Sequence, residues 1–233
     1  LCGAVSAAEY TVGPDQTYTT ITSAVAASTD GDTITVNPNN GNPYVERVVI
    51  DHTLTIVAKG EVTVQKPDLQ GQAFQVNQQG SGTTIKGFTI TKTDTGISDS
   101  GIILNSANNC RILNNKIIGF ATGIDIVTSN NNIISGNTIM SGPNAVGYSY
   151  GIDNFGQSSS NQITYNKIIA QGSGTGDAVG IFLLTGTTNQ IIGNSIKPTT
   201  TGTGPVIGIK VSQSGNEAHF NQIIAPVAIT LGE

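Results

Sequence analysis

The chain has 233 residues, a net charge of −5 and only 11% charged residues, enough length for one sizeable domain. Its ten basic residues form no run, which removes the electrostatic basis for gripping a phosphate backbone or anionic headgroups. No apolar stretch approaches the ~20 residues of a spanning helix. Nucleic-acid and integral-membrane roles are excluded on these grounds, and 37% apolar residues at low charge exclude disorder.

In chain order, Leu1-Cys2-Gly3-Ala4-Val5-Ser6-Ala7-Ala8 reads as the remnant of a secretory signal, with Val5-Ser6-Ala7 as a small-x-small cleavage site. The mature chain is predicted to start near Ala8 or Glu9 and to be extracellular. Residues 9–233 are read as one domain, with a cap and opening coils over 9–70 and repeated coils over 71–233. Thr20–Ser28 is predicted as a short amphipathic helix with Thr20 as its N-cap, placed to plug the first coil. Asp30-Gly31-Asp32 turns into the strand Thr33–Val36, and strands follow near Val45–Ile50, Leu54–Ala58, Val62–Gln65, Phe74–Asn77 and Thr83–Thr91.

From residue 101 the chain repeats. Gly-Ile recurs at Gly101, Gly123, Gly151, Gly180 and Gly208, at intervals of 22, 28, 29 and 28 residues. Asn-x-Ile follows 13 to 15 residues later, at Asn115, Asn137, Asn166, Asn194 and Asn221. Five residues before each of these stands a third ladder, Cys110, Asn132, Asn161, Asn189 and Asn216. The apolar runs between are short, alternating and β-branched, and no helical stretch separates them. These features predict an all-β, right-handed parallel β-helix in which each coil buries its isoleucines against the next. The asparagines are read as fold devices that satisfy backbone groups at the bends, with Cys110 a buried thiol in an asparagine's place. A bridge from Cys110 to Cys2 is not predicted.

The opening segment, Tyr18-Thr19-Thr20-Ile21, Ala24-Val25, Gly31-Asp32-Thr33-Ile34-x-Val36 and Pro43-Tyr44-x-Glu46, resembles that of many secreted β-helix proteins of the pectate-lyase-like superfamily. The Gly-Ile and Asn-x-Ile coils resemble the repeats of NosD-like and adhesin-like surface proteins, abundant in methanogenic archaea. The resemblance implies a right-handed β-helix and fits a sheath or surface-layer subunit; for activity it is uninformative, because this fold carries lyases, hydrolases, esterases and purely structural proteins.

The motifs of the polysaccharide-cleaving families are missing. Neither the pectin methylesterase nor the polygalacturonase signatures occur, and Ile50-Asp51-His52, which echoes a pectate lyase motif, reads as a turn. Asp125 and Asp153 hold equivalent places in consecutive coils and point outward. One rung apart, they form the single candidate cation or saccharide site, against a plain reading as solvated surface acids. Tyr148, Tyr150 and Tyr165 are candidates to stack on a sugar. His219 has no second His or Cys at metal spacing, and no metal or cofactor site is predicted.

The residues after Asn-x-Ile are Ile118, Met140, Ile169, Lys197 and Ile224, an outward column that is apolar in four of five coils. Either Val146, Val179, Val206 and Ile207 of the longer excursions cover it, or it is a contact between subunits. Val227–Leu231 reads as a final strand; if the natural chain ends at 233, its open edge adds axial stacking to the expected modes of assembly, and in a fragment it adds nothing. The reading that follows is a non-catalytic cell-surface structural protein that self-associates, with a carbohydrate-active enzyme or saccharide-binding adhesin as the alternative.

Overall fold

The computed structural model describes residues 7–67, 71–93, 99–143 and 147–232. Most of the signal-like segment, Cys2 and Val146 lie outside them. Three parallel sheets run the length of the molecule and wind into a right-handed β-solenoid of about 8 turns.

The first sheet contains Glu9–Val12, Thr33–Val36, Thr55–Ala58, Thr84–Lys86, Arg111–Leu113, Ile133–Ser135, Gln162–Thr164, Gln190–Ile192 and Glu217–His219. The second contains Val48–Ile50, Phe74–Val76, Ser100–Asn105, Thr122–Val127, Ser149–Phe155, Ala178–Leu183, Val206–Val211 and Val227–Leu231. The third runs from Tyr44–Val45 through Thr63–Lys66, Thr89–Lys92, Lys116–Ile118, Thr138–Ser141, Lys167–Gly172 and Ser195–Ile196 to Gln222–Ile223, with Thr199–Thr200 beside Lys167–Gly172. The opening coils therefore continue the same sheets as the repeats.

Two stretches expected to be single strands are each two. Tyr44–Val45 and Val48–Ile50 part at Glu46-Arg47, and Thr84–Lys86 and Thr89–Lys92 part at Gly87, where φ is +85°. Each break is a corner between sheets.

The helix spans Ile21–Ala27, and the Thr20 side chain accepts from the Ser23 amide at 3.1 Å. Glu46 completes its start, accepting from the Ile21 and Thr22 amides at 2.9 and 2.8 Å. These are donors that a helix leaves unpaired in its first turn. Ile21, Ala24 and Val25 join the same core as the sheets, so the helix covers the first coil.

Isoleucine columns fill the interior. Ile102, Ile124, Ile152, Ile181 and Ile209 are in register on the second sheet and sealed from water. Ile117, Ile139, Ile168 and Ile196 do the same on the third, with half-buried Ile223 below them. Each sealed isoleucine contributes about 1.5–3 kcal/mol.

The glycine and isoleucine ladders are one device. A Cβ added at Gly101, Gly123, Gly151, Gly180 or Gly208 would fall 2.2 to 2.4 Å from the Cγ2 of Ile117, Ile139, Ile168, Ile196 or Ile223 respectively. The glycine's missing side chain and the next isoleucine both face the core, so strict alternation breaks there. The residues before these glycines are Ser100, Thr122, Tyr150, Val179 and Ile207, and all but Tyr150 are buried.

Two corner ladders share a backbone rule. The residue before each Asn-x-Ile asparagine is in the left-handed region: Asn114, Gly136, Tyr165, Gly193 and Phe220 have φ of 54°, 69°, 55°, 67° and 55°. Asn109, Asn131, Ser160, Thr188 and Gly215 precede the other ladder in the same conformation, at 58°, 59°, 57°, 58° and 81°. For a bulky residue such as Tyr165 this backbone costs energy, and the ladder beside it offsets that cost.

Candidate functional site

The asparagines form hydrogen-bonded columns. Oδ1 of Asn137 accepts both the backbone amide and Nδ2 of Asn115, at 2.9 and 3.2 Å. The same pattern joins Asn137 to Asn166, Asn166 to Asn194 and Asn194 to Asn221, at 2.9 to 3.0 Å. Each Nδ2 also reaches a carbonyl of the first sheet, Ile85 from Asn115 and Ile134 from Asn166. Asn132, Asn161, Asn189 and Asn216 stack similarly, except that Nδ2 of Asn161 turns to the Ser129 carbonyl and to Asn154.

Cys110 ends this second column. Its amide donates to Asn132 Oδ1 at 2.7 Å, its thiol is buried, and burial pushes the thiol up to about 11. The question of a bridge to Cys2 lies outside the described residues.

Asp125 and Asp153 are direct partners on neighbouring strands of the second sheet, with Ile103 above them and Phe182 and Lys210 below. Their reading as solvated surface acids is corrected by the structure, because both are half-buried. Ser100, itself buried, donates its hydroxyl to Asp125 Oδ2. Asp153 Oδ1 is sealed from water and has no hydrogen-bond partner among the described residues. Burial raises Asp125 to about 6; burial, then the charge of Asp125, raises Asp153 to about 7.

An aromatic run adjoins the pair. Tyr148 stacks on Tyr150 with ring centres 6.4 Å apart, and Tyr150 stacks on Phe182 at 5.9 Å. Lys210 Nζ sits 4.9 Å from the Phe182 ring centre and 3.7 Å from Asp177. Burial, then Asp177 and Asp153, lifts the Tyr150 phenol to about 12. Tyr165 does not join this run. It stands at the corner between the first and third sheets, 69% exposed, with its ring over Gly193.

On the third sheet, Ile118, Met140 and Ile169 are in register, and Ile224 extends the column one coil past Lys197. Ile118 and Ile169 are half-buried, whereas Met140 and Ile224 are 41% and 58% exposed. Val179 and Ile207 are buried within second-sheet strands, while Val206 and Ile224 line an open groove of about 510 Å³ with Lys197, Pro198 and Pro226.

Some features carry no sequence signal. Asp99 is buried between two lysines, accepting from Lys92 Nζ at 2.9 Å and from the Ala121 amide at 3.0 Å, with Lys66 Nζ 3.7 Å away. Asn154 takes the inward place held by Ile126 and Leu183 in adjacent coils and donates to the Ser158 carbonyl at 2.9 Å. Only the interruption of an apolar column hints at it.

Residues 23–224 match the family described as periplasmic copper-binding protein (NosD). The chain belongs to that family. No curated protein matches it in sequence. Among solved structures it is similar to the pectate lyase Pel9A, with a TM-score of 0.63, 13% identity, and coverage of 93% of this chain and 62% of that one. It is also similar to the pectin methylesterase from Aspergillus niger, with a TM-score of 0.58, 16% identity, and coverage of 94% and 86%. Escherichia coli ybhc gives 0.56, 10%, 91% and 84%. At these identities the likeness is one of fold, and the chain spans under two thirds of Pel9A.

The family description names copper, which is held by thiolate, thioether and imidazole donors. This chain has one Met, two Cys and two His. Met140 lies on the outer face of the third sheet, Cys110 is a buried thiol, His52 Nε2 pairs with Ser28, and His219 stands beside Glu217. Among the described residues no three of His, Cys, Asp and Glu gather. These donors do not fit a copper centre. No helix among the described residues is long and apolar enough to cross a membrane.

Proposed function

We propose that the chain is a non-catalytic structural subunit of an extracellular or cell-surface assembly, such as a sheath, surface layer or filament, and that copies meet along the third sheet. The observation that carries this reading is the column Ile118, Met140, Ile169 and Ile224, where an outward-facing position is apolar and partly open to water. Ile118, Met140 and Ile169 run unbroken over three coils, and apolar side chains that reach water on a rigid frame support a contact surface. The asparagine and isoleucine columns supply that frame, because the coils from Asn115 to Asn221 are bonded to one another at their corners as well as along their strands. Electron microscopy of the purified protein across a concentration series tests the proposal. Regular filaments or sheets support it, and single particles at every concentration overturn it.

A second reading rests on the Tyr148, Tyr150 and Phe182 run, which offers a partly exposed ring beside charged groups, as saccharide-binding surfaces do. The sealed Asp153 Oδ1 favours binding over cleavage, since a nucleophile or base must reach its substrate. Retarded migration in polysaccharide gels, abolished by Tyr148→Ala, distinguishes this reading from the first.

A further inference from the structure

Two carboxyl groups on the outer face of the second sheet have no ion-pair partner among the described residues. Asp125 and Asp153 stand directly opposite on neighbouring strands, where like charges repel. Neither has an ion-pair partner among the described residues, since Lys210, the cation of this face, is 3.7 Å from Asp177 and lies over Phe182. Among the described residues the other titratable groups near the pair are Tyr148, Tyr150 and Asp177, and the Tyr150 phenol, pushed up to about 12, stays neutral. Asp125 receives the Ser100 hydroxyl, but Asp153 Oδ1 receives nothing and is sealed. A buried carboxylate oxygen without a donor is costly. One proton removes both that cost and the repulsion.

We propose that Asp125 and Asp153 together retain one proton at neutral pH, and that its loss loosens the outer face of the second sheet. The direction of the pH effect follows. Both groups are held above the ordinary 3.8, at about 6 and about 7. From about pH 4 to about pH 8 the folded chain binds more protons than the unfolded one, so stability falls as pH rises through that window. Above it the loss is complete.

The test compares thermal unfolding of the unaltered chain, Asp153→Asn and Asp125→Asn at pH 5 and pH 8. An amide is nearly isosteric with a protonated carboxyl and neutral at both values. The proposal expects the drop in Tm from pH 5 to pH 8 to shrink in either variant. Parallel drops in all three proteins overturn it. Carboxyl-carbon NMR titration of the unaltered chain decides independently of whether the variants fold. One carboxyl of the pair titrating near neutrality supports the proposal, and both titrating near pH 4 overturn it.

Discussion

Gly151 leaves the space that Ile168 fills: a Cβ there would lie 2.2 Å from Ile168 Cγ2 and 2.4 Å from the Gly180 carbonyl oxygen. The corner glycines and the Asn-x-Ile isoleucines thus depend on each other across two sheets. Gly151→Ala is expected to destabilise the protein by about 1–3 kcal/mol, the range for overpacking a filled core. Urea unfolding measures this, and a change within about 0.5 kcal/mol would show that the corner relaxes freely.

The asparagine columns give a second expectation. Asn166 supplies the acceptor for the Asn137 amide and a donor to the Ile134 carbonyl. Asn166→Ala leaves both without that partner and is expected to cost about 2–6 kcal/mol, since each buried unsatisfied group costs about 1–3. Asn166→Asp retains the acceptor but loses the donors and brings a charge into the core. Its Tm should fall further at pH 8 than at pH 5.

Cys110 should be inert while the chain is folded. Its thiol is sealed and raised to about 11, so little reactive thiolate forms near neutrality. Iodoacetamide at pH 8 is expected to label Cys110 only when denaturant is present. Rapid labelling of the native protein, mapped by mass spectrometry, would contradict the placement of this column.

The fold was legible because its devices recur with the coil. Gly101 to Gly208 and Asn115 to Asn221 mark equivalent corners, and repetition reveals register without any partner being seen. What does not recur was not legible. The burial of Asp125 and Asp153 depends on neighbours from strands whose outer residues change from coil to coil, so alternation gave their direction but not their environment. Closeness in sequence groups Tyr165 with Tyr148 and Tyr150, yet its left-handed backbone puts it at another corner. The Asp99, Lys66 and Lys92 cluster draws one residue from each of three separate segments, a meeting that no local pattern announces. Copper, named for the family, finds no matching donor cluster among the described residues.

Assembly through the third sheet is the central claim, and sedimentation velocity across a concentration series tests it most directly, with Met140→Lys and Ile169→Lys as controls. Both substitutions place a charge on the outward column without touching the inward isoleucines. Species larger than the monomer should grow with concentration for the unaltered chain and disappear in the variants. A single monomeric boundary for the unaltered chain at every concentration would contradict the claim.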